Sequence, residues 1–95
     1  MDIEKLFATN LQVRIIKVFL ENPTKIYSST TIAKKLGSSP SAIIARLKVL
    51  EQLGIIKAIR LNRMRLYRLN LESKATKILQ EFYHKIKDIR GDKKE

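Results

Sequence analysis

A run of seventeen residues in the second half of the chain is strongly basic and contains no acid. Residues 54–70 carry a net charge of +5, out of a formal net charge of +11 for all 95 residues. Arginine donates hydrogen bonds from a planar, permanently charged fork that matches a phosphate group. Such a concentration of positive charge on a small protein is typical of a surface that binds a polyanion, usually a nucleic acid. The cations are Lys57, Arg60, Arg63, Arg65 and Arg68.

Residue types that carry most enzyme chemistry are scarce. The chain has no Cys and a single His, His84, which argues against disulfides, thiol chemistry and a zinc site. A lone histidine on a Lys-rich helix is typical of a surface residue, because a general base needs a positioned nucleophile. The three glycines, Gly37, Gly54 and Gly91, stand too far apart for a phosphate-binding loop. We therefore expect no enzyme activity, no cofactor and no bound metal.

Length and hydropathy predict one small domain. No apolar run approaches the roughly 20 residues that cross a bilayer, and Asp2 and Glu4 stand where a secretory signal is basic. We expect a cytoplasmic, nucleoid-associated protein with no membrane partner. A composition rich in Lys and Ile and free of Cys is also consistent with a thermophilic or archaeal source.

The basic segment needs a scaffold, and the residues before it predict one made of helices. Asn10 is a suitable N-cap for a helix that runs to about Glu21 and is ended by Asn22-Pro23. A short apolar segment, residues 3–7, precedes this helix, and residues 26–27 are a candidate strand. The apolar stripe of the helix is Leu11, Ile15, Val18 and Phe19.

Two further helices follow, separated by a tight turn. The hydroxyls of residues 28–31 cap a short helix, and Gly37 closes it in the left-handed conformation. Ser38-Ser39 then cap a third helix, which has Pro40 in its first turn and ends at Gly54. This arrangement is the helix-turn-helix pattern. The inward-facing residues are Ile32, Ala33 and Leu36 in the first helix, and Ile43, Leu47 and Leu50 in the second.

A β-hairpin is predicted directly after the third helix. Its strands are residues 55–60 and 66–70, joined by a five-residue polar link, residues 61–65, in which Asn62 is the most turn-prone member. Alternation puts Tyr67 and Leu69 on one face, and Leu66 and Arg68 on the other. The fold class is therefore mainly α with a small β-hairpin.

Seven short segments between residues 6 and 70 together follow the pattern of a known family. They are Leu6-Phe7, Val13-Arg14-Ile15-Ile16, Ile32-Ala33-Lys34-Lys35-Leu36-Gly37, Ser39-Pro40-Ser41, Leu47-Lys48-Val49-Leu50-Glu51, Leu53-Gly54-Ile55-Ile56 and Tyr67-Arg68-Leu69. On these segments, residues 6–70 resemble the winged helix-turn-helix domain of the ArsR/MarR-like bacterial and archaeal transcription regulators. The resemblance implies that residues 40–53 form the recognition helix, that residues 55–70 form the wing and that the partner is double-stranded DNA.

The candidate DNA contacts divide into phosphate-binding and base-contacting groups. Ser38, Ser39 and Ser41 at the helix N-terminus suit phosphates. Thymine methyl groups suit Ser41, Ala42, Ile44 and Ala45. Ile44 could instead pack against the wing or a neighbouring molecule. Arg63 and Arg65 are the candidates for the minor groove, and Arg60 and Arg68 for phosphates. A competing interpretation is that these arginines protect an exposed edge strand from aggregation. The predicted set is Ser29, Thr30, Ser38, Ser39, Ser41, Ala42, Ile44, Ala45, Arg46, Lys48, Arg60, Arg63, Arg65 and Arg68.

The exposed face of the predicted recognition helix is poor in side chains that read bases. At the position of Ala45 the family often has Arg or another polar residue, and at that of Ile44 it often has Ser. Direct base readout by this helix is therefore expected to be weak.

The chain ends in a long amphipathic helix that begins at about Glu72. Its apolar spacing is that of a coiled-coil seam, which predicts a homodimer, although the seam could instead pack on its own domain. The expected organisation is a DNA-binding domain over residues 1–71, a dimerisation helix over 72–90 and a flexible tail over 91–95. The predicted dimer residues are Ala75, Ile78, Leu79, Phe82, Ile86 and Ile89.

Together these patterns predict a homodimeric, winged-helix transcription regulator. Two alternatives remain open at this point. One is an architectural or plasmid-partition protein that coats DNA with little sequence preference, and the other is a winged-helix module for protein interactions.

Overall fold

The computed structural model describes the backbone of residues 10–94 and the side chains of residues 10–89. The predicted apolar segment at residues 3–7 lies outside this range. The described part contains four helices and three strands, in agreement with the expected fold class. In chain order they are α1 (Leu11–Glu21), β1 (Tyr27–Ser28), α2 (Ser29–Leu36), α3 (Pro40–Gln52), β2 (Ile56–Leu61), β3 (Met64–Leu69) and α4 (Lys74–Lys94).

The first three helices begin at the polar caps that the sequence predicts. The side chains of Asn10, Ser28 and Ser39 each accept a hydrogen bond from the backbone N–H three residues further on, at 2.9, 3.1 and 3.3 Å. These contacts satisfy backbone donors that have no partner inside the helix. Pro40 occupies the first turn of α3, where its missing N–H carries no cost.

Two glycines end helices because their backbone is left-handed. Gly37 has φ 65° and Gly54 has φ 78°, and neither position is crowded enough to exclude a larger side chain for lack of space. The left-handed conformation is the physical requirement at both sites. Arg14 of α1 adds to the closure of α2 by donating to the Leu36 carbonyl at 2.9 Å. The conformation of the α2–α3 turn is thus fixed by the left-handed Gly37 and by the hydrogen bond from Arg14 of the neighbouring helix.

In the described part of the chain, one hydrophobic core lies between the helices and one face of the sheet. The three inward positions of α3 are completely buried, and α1 contributes a buried Phe19 whose ring meets Tyr27 edge-on at 5.3 Å. The core also takes in residues from β2, β3 and α4. Its members are Ile15, Val18, Phe19, Leu20, Tyr27, Ile32, Ala33, Ile43, Leu47, Leu50, Ile55, Ile56, Tyr67, Leu69, Tyr83 and Ile86.

The strands form an antiparallel sheet in the order β1-β3-β2, and its hairpin is tighter than predicted. Leu61 pairs with Met64, so the link is a two-residue turn, Asn62-Arg63, rather than the five residues expected. Asn62 has φ 57°, a left-handed conformation that Asn tolerates and that such short turns require. The two strands therefore extend pairing through most of the segment that was expected to be a loop.

The C-terminal helix packs two of the predicted dimer residues, Leu79 and Ile86, against the core of its own chain. Thr76, Tyr83 and Ile86 are buried and Leu79 is partly buried against the core, and α4 packs on α1. Ala75, Ile78, Phe82 and Ile89 lie on an exposed stripe about a quarter turn away. The expected seam thus divides into a part that packs on the protein's own core, Leu79 and Ile86, and a part that remains exposed.

The boundaries of this helix also differ from expectation. It begins at Lys74 rather than Glu72, with the Ser73 hydroxyl accepting from the Thr76 N–H at 3.4 Å. Its backbone continues to Lys94, through residues that the sequence predicts as a tail.

A small hydrogen-bond cluster joins α4 to the turn between α3 and β2. The buried Thr76 hydroxyl donates to the Ile55 carbonyl at 3.0 Å, and the Asn70 N–H donates to the same carbonyl at 2.9 Å. The Asn70 side chain donates to the Gly54 carbonyl at 3.1 Å. The start of α4 and the end of the hairpin are therefore tied to one point.

We expect Thr76→Val to lower the free energy of unfolding by about 1 kcal/mol, because a valine keeps the shape of the side chain but loses a buried hydrogen bond. Urea denaturation at one fixed protein concentration measures this change. Thr24→Val, at an exposed position, is the matched control and should leave the midpoint unchanged. Equal midpoints for Thr76→Val and the unmodified protein would contradict the assigned role of this hydroxyl.

Candidate nucleic-acid interface

The outward face of α3 follows from its three buried positions. Because Ile43, Leu47 and Leu50 point into the core, the opposite side of the helix faces solvent. The exposed residues on that side are Ser41, Ala45, Lys48 and Gln52. Only Lys48 and Gln52 have long polar side chains, so this face has few groups that could form paired hydrogen bonds with a base edge.

A shallow groove separates α3 from the hairpin. It has a volume of about 360 Å³ and opens beside the exposed face of α3. Ile44 lines it and remains 49% exposed, so this side chain is not sealed against the hairpin. The lining residues are Ile44, Lys48, Glu51, Gln52, Arg65 and Tyr67.

An ion pair crosses this groove and joins the hairpin to α3. The Arg65 Nη2 atom lies 2.8 Å from Glu51 Oε1 and 3.0 Å from Oε2, and the guanidinium carbon is 5.9 Å from the centre of the Tyr67 ring. The hydrogen bond to Glu51 raises the pKa of Arg65 further above its usual value. Arg65 was predicted to enter a minor groove, but in this structure its guanidinium is engaged with Glu51.

Glu51 belongs to this site but is absent from the set of contact residues predicted from the sequence. It lies seven positions after Ile44, and therefore on the same flank of the helix. That spacing, together with the absence of any acid in residues 54–70, was the available signal for a partner to one of the arginines.

Arg60 and Arg63 provide the uncompensated positive charge at the hairpin tip. Arg63 lies in the two-residue turn, and Arg60 pairs in register with Arg65 on the face of the hairpin toward α3. Both side chains are exposed. Among the described residues, neither has a salt-bridge partner. They are free to bind an anionic ligand.

Arg68 lies apart from this group. It pairs in register with Lys57, near the base of the hairpin and on the face away from Arg60 and Arg65. Lys57 forms an ion pair with Glu72 at 3.0 Å. The hydrogen bond from Lys57 lowers the pKa of the Glu72 carboxyl, and the charge of Arg68 lowers it further. The positive charge of Arg68 is thus partly offset at the root of the hairpin.

The predicted hydroxyl contacts lie around the N-termini of α2 and α3. The Ser39 hydroxyl is occupied as the α3 cap and lies 3.4 Å from the Ser41 hydroxyl, which is exposed. Ser38 is partly buried in the turn. Ser28 rather than Ser29 caps α2, so the partly exposed Ser29 and the exposed Thr30 stand in its first turn.

The two remaining predicted contacts lie beside the exposed face of α3. Ala42 is partly buried and Arg46 is exposed, and both lie on the flank away from the hairpin. Arg46 can therefore extend the positive surface of α3 only on that side.

Neither a metal centre nor a membrane-spanning helix is found in the described part of the chain. Residues 10–89 contain no cluster of three or more His, Cys, Asp or Glu side chains that could hold a metal ion. None of the described helices is long and apolar enough to span a membrane.

Comparison with known families identifies the fold. A family model described as winged helix-turn-helix DNA-binding matches residues 9–57, which is more than half of the chain. The chain belongs to the winged helix-turn-helix DNA-binding family. This confirms the winged helix-turn-helix fold that the resemblance implies, and we hereafter call α3 the recognition helix and the β2–β3 hairpin the wing. A search of curated protein sequences finds no match.

Several solved structures are similar to this chain over most of its length. HlyU from Vibrio cholerae superposes with a TM-score of 0.64 at 22% identity, over 86% of this chain and 85% of that one. A ZitR mutant from Lactococcus lactis in its apo form has a TM-score of 0.65 at 26% identity, over 96% and 67%. The transcriptional regulator BldR from Sulfolobus solfataricus has a TM-score of 0.61 at 19% identity, over 94% and 63%.

The position of the arginines leads to a test on the wing. We expect Arg63→Ala to weaken binding to duplex DNA and to reduce the slope of log affinity against log salt by about 1, since one phosphate contact is lost. Arg68→Ala removes the same charge from the other face of the wing and should change both quantities much less. Fluorescence anisotropy at a series of salt concentrations measures them. A larger effect of Arg68→Ala would mean that the root of the wing, rather than its tip, binds phosphate.

Proposed function

We propose that the protein is a homodimeric transcription regulator that binds double-stranded DNA. In each protomer the recognition helix enters the major groove and the wing reaches phosphates and the adjacent minor groove. The observation that supports this most directly is the juxtaposition of the exposed helix face with a cationic wing across one shallow groove. A helix of this size fits the major groove of B-DNA. BldR, a solved structure of similar fold, is named as a transcriptional regulator.

In this proposal the recognition helix mainly orients the protein on the DNA, and it contributes little direct readout of the bases. The hydroxyl of Ser41 and the N-terminus of the helix bind phosphate, while Ala45 contacts a thymine methyl group. Lys48 and Gln52 are the long polar side chains on this face. Much of the preference for a site then comes from the shape of the minor groove, which Arg63 and Arg60 sense through its negative potential.

The dimer in this proposal forms through the exposed stripe of α4. Ile78 is 68% exposed, Phe82 46% and Ile89 44%, and together with Ala75 they lie along one face of the helix, with Lys85 between Phe82 and Ile89. A stripe of this kind is normally covered by a partner, and a second copy of the same helix is self-complementary to it. Leu79 and Ile86 support the stripe from the core side. Two recognition helices paired in this way would read half-sites about one helical turn apart.

A second candidate function is an architectural protein that coats DNA. The scarcity of base-reading side chains on the recognition helix favours it, because phosphate contacts alone bind any sequence. The two functions predict different footprints on DNA that has been selected from a random pool by binding to the protein. A regulator protects a bounded, palindromic site, whereas a coating protein protects DNA progressively as its concentration rises.

DNA binding by a dimer should depend steeply on salt. If about 6–10 side chains contact phosphates, affinity falls by roughly 10³–10⁵ between 50 and 200 mM salt, because condensed counterions are released on binding. Electrophoretic mobility shift or anisotropy titrations over this range test the expectation. A binding constant that barely changes would reject phosphate contacts as the main source of affinity.

We expect Phe82→Glu to convert the dimer into monomers, because the substitution buries a charge in the apolar interface. Sedimentation velocity measures the oligomeric state, and circular dichroism verifies that the fold is retained. His84→Glu, at an exposed position two residues along α4 and on the opposite side of the helix, is the control for added negative charge. A Phe82→Glu protein that remains dimeric would place the dimer interface elsewhere.

A further inference from the structure

The tip of the wing is apolar on the side away from the recognition helix. Leu61 and Met64 oppose each other in register immediately before and after the Asn62-Arg63 turn. Leu61 is 59% exposed and Met64 is 56% exposed. Ile59 and Leu66 form a pair two residues further from the tip on each strand. Because side chains alternate along a strand, this pair lies on the same face as Leu61 and Met64, and it is half-buried. An apolar strip thus leads from the sheet to the tip and ends in two large exposed side chains.

Positive charge surrounds this apolar tip. Arg63 stands in the turn, Arg60 and Arg65 lie on the opposite face, and residues 54–70 contain no acid. The tip therefore repels a second copy of itself. A complementary partner must be negatively charged on its outside and able to accept apolar side chains further in. Double-stranded DNA has both properties, because phosphates line the grooves and stacked bases lie at their floor.

We propose that Leu61 and Met64 form an apolar wedge that opens a base step from the minor groove and kinks the DNA. This proposal rests on the proposed function, in which the wing reaches the minor groove. Leucine and methionine are among the side chains that proteins insert between base pairs in this way. Arg63 holds the phosphates at the entrance while the wedge replaces the stacking contacts that the bases lose.

The dimensions of the wing support a widened groove. Its two paired strands lie about 4.8 Å apart before their side chains are counted, while the minor groove of B-DNA is only about 6 Å wide. A hairpin that enters with Leu61 and Met64 side by side therefore needs the groove to open. Insertion of apolar side chains at the minor groove opens it by bending the duplex toward the major groove, by roughly 20–90° at each site.

The wedge would also supply sequence preference that the recognition helix lacks. Pyrimidine–purine steps, TA and CA/TG, are the easiest to unstack and kink. Sites selected from a random pool should therefore be enriched in such steps where the wings make contact. The preference arises from deformability of the DNA and needs no hydrogen bond to a base edge.

Energy transfer between dyes at the two ends of a short selected duplex tests the wedge. The wild-type protein should bring the ends closer, and an aminopurine at the contacted step should become brighter as it unstacks. The double variant Leu61→Ser/Met64→Ser should still bind, with reduced affinity and an unchanged salt slope, but should leave the duplex straight. Leu71→Ser, at an apolar position that is 42% exposed and follows the wing, is the matched control and should bend DNA as the wild type does.

The outcomes separate the two proposals. Wild-type protein that binds with a steep salt dependence but leaves the duplex straight overturns the wedge and leaves the regulator proposal standing. A double variant that bends DNA fully also overturns the wedge. Absence of any binding by the wild type overturns the proposed function itself. If the double variant does not fold, Met64→Leu and Met64→Ser decide instead, because only the leucine should retain the bend.

Discussion

The recognition helix depends on three side chains that are completely buried. Ile43, Leu47 and Leu50 anchor α3 to the core formed by α1, α2 and the sheet. Truncating side chains of this kind typically costs about 2–5 kcal/mol, which is comparable with a small domain's whole stability. Because an α-helix repeats every 3.6 residues, fixing this stripe fixes the opposite face as well. The residues presented to DNA are thus determined by packing, while their chemistry remains free to vary.

Ion pairs shape the electrostatic field of the wing more than they stabilise the fold. Glu51 offsets Arg65 and Glu72 offsets Lys57, and both pairs are too exposed to solvent to add much to the stability of the fold. Their effect on the distribution of charge is larger. With the root of the wing partly neutralised, the positive potential is concentrated on Arg60 and Arg63 at the tip.

Local features of this chain were predictable from sequence, and long-range ones were predictable only in part. The caps, Gly37 and the α2–α3 turn depend on neighbours in sequence, so residue types identify them. The hairpin was expected, but its two-residue turn depends on strand register, since Leu61 had to pair with Met64. For α4, residue type did not identify which side faces the core. Thr76 and Tyr83 carry hydroxyl groups yet are buried, while Ile78 is apolar yet exposed. The Arg65–Glu51 pair is a tertiary contact, and residue composition gives its charges but not their distance.

The wing and the exposed stripe of α4 share a single attachment point. The Ile55 carbonyl accepts hydrogen bonds from both Thr76 and Asn70, just after the recognition helix ends at a left-handed Gly54. The end of α3, both strands of the wing and the first turn of α4 therefore meet in one largely buried cluster. A buried cluster with satisfied hydrogen bonds resists rearrangement, because each broken bond would leave a buried polar group unpaired. If α4 sets the distance between two protomers, it also sets the distance between their wings, because the wing and α4 are joined by rigid contacts rather than by a flexible linker. A DNA site that must be deformed at two defined points requires this kind of rigidity.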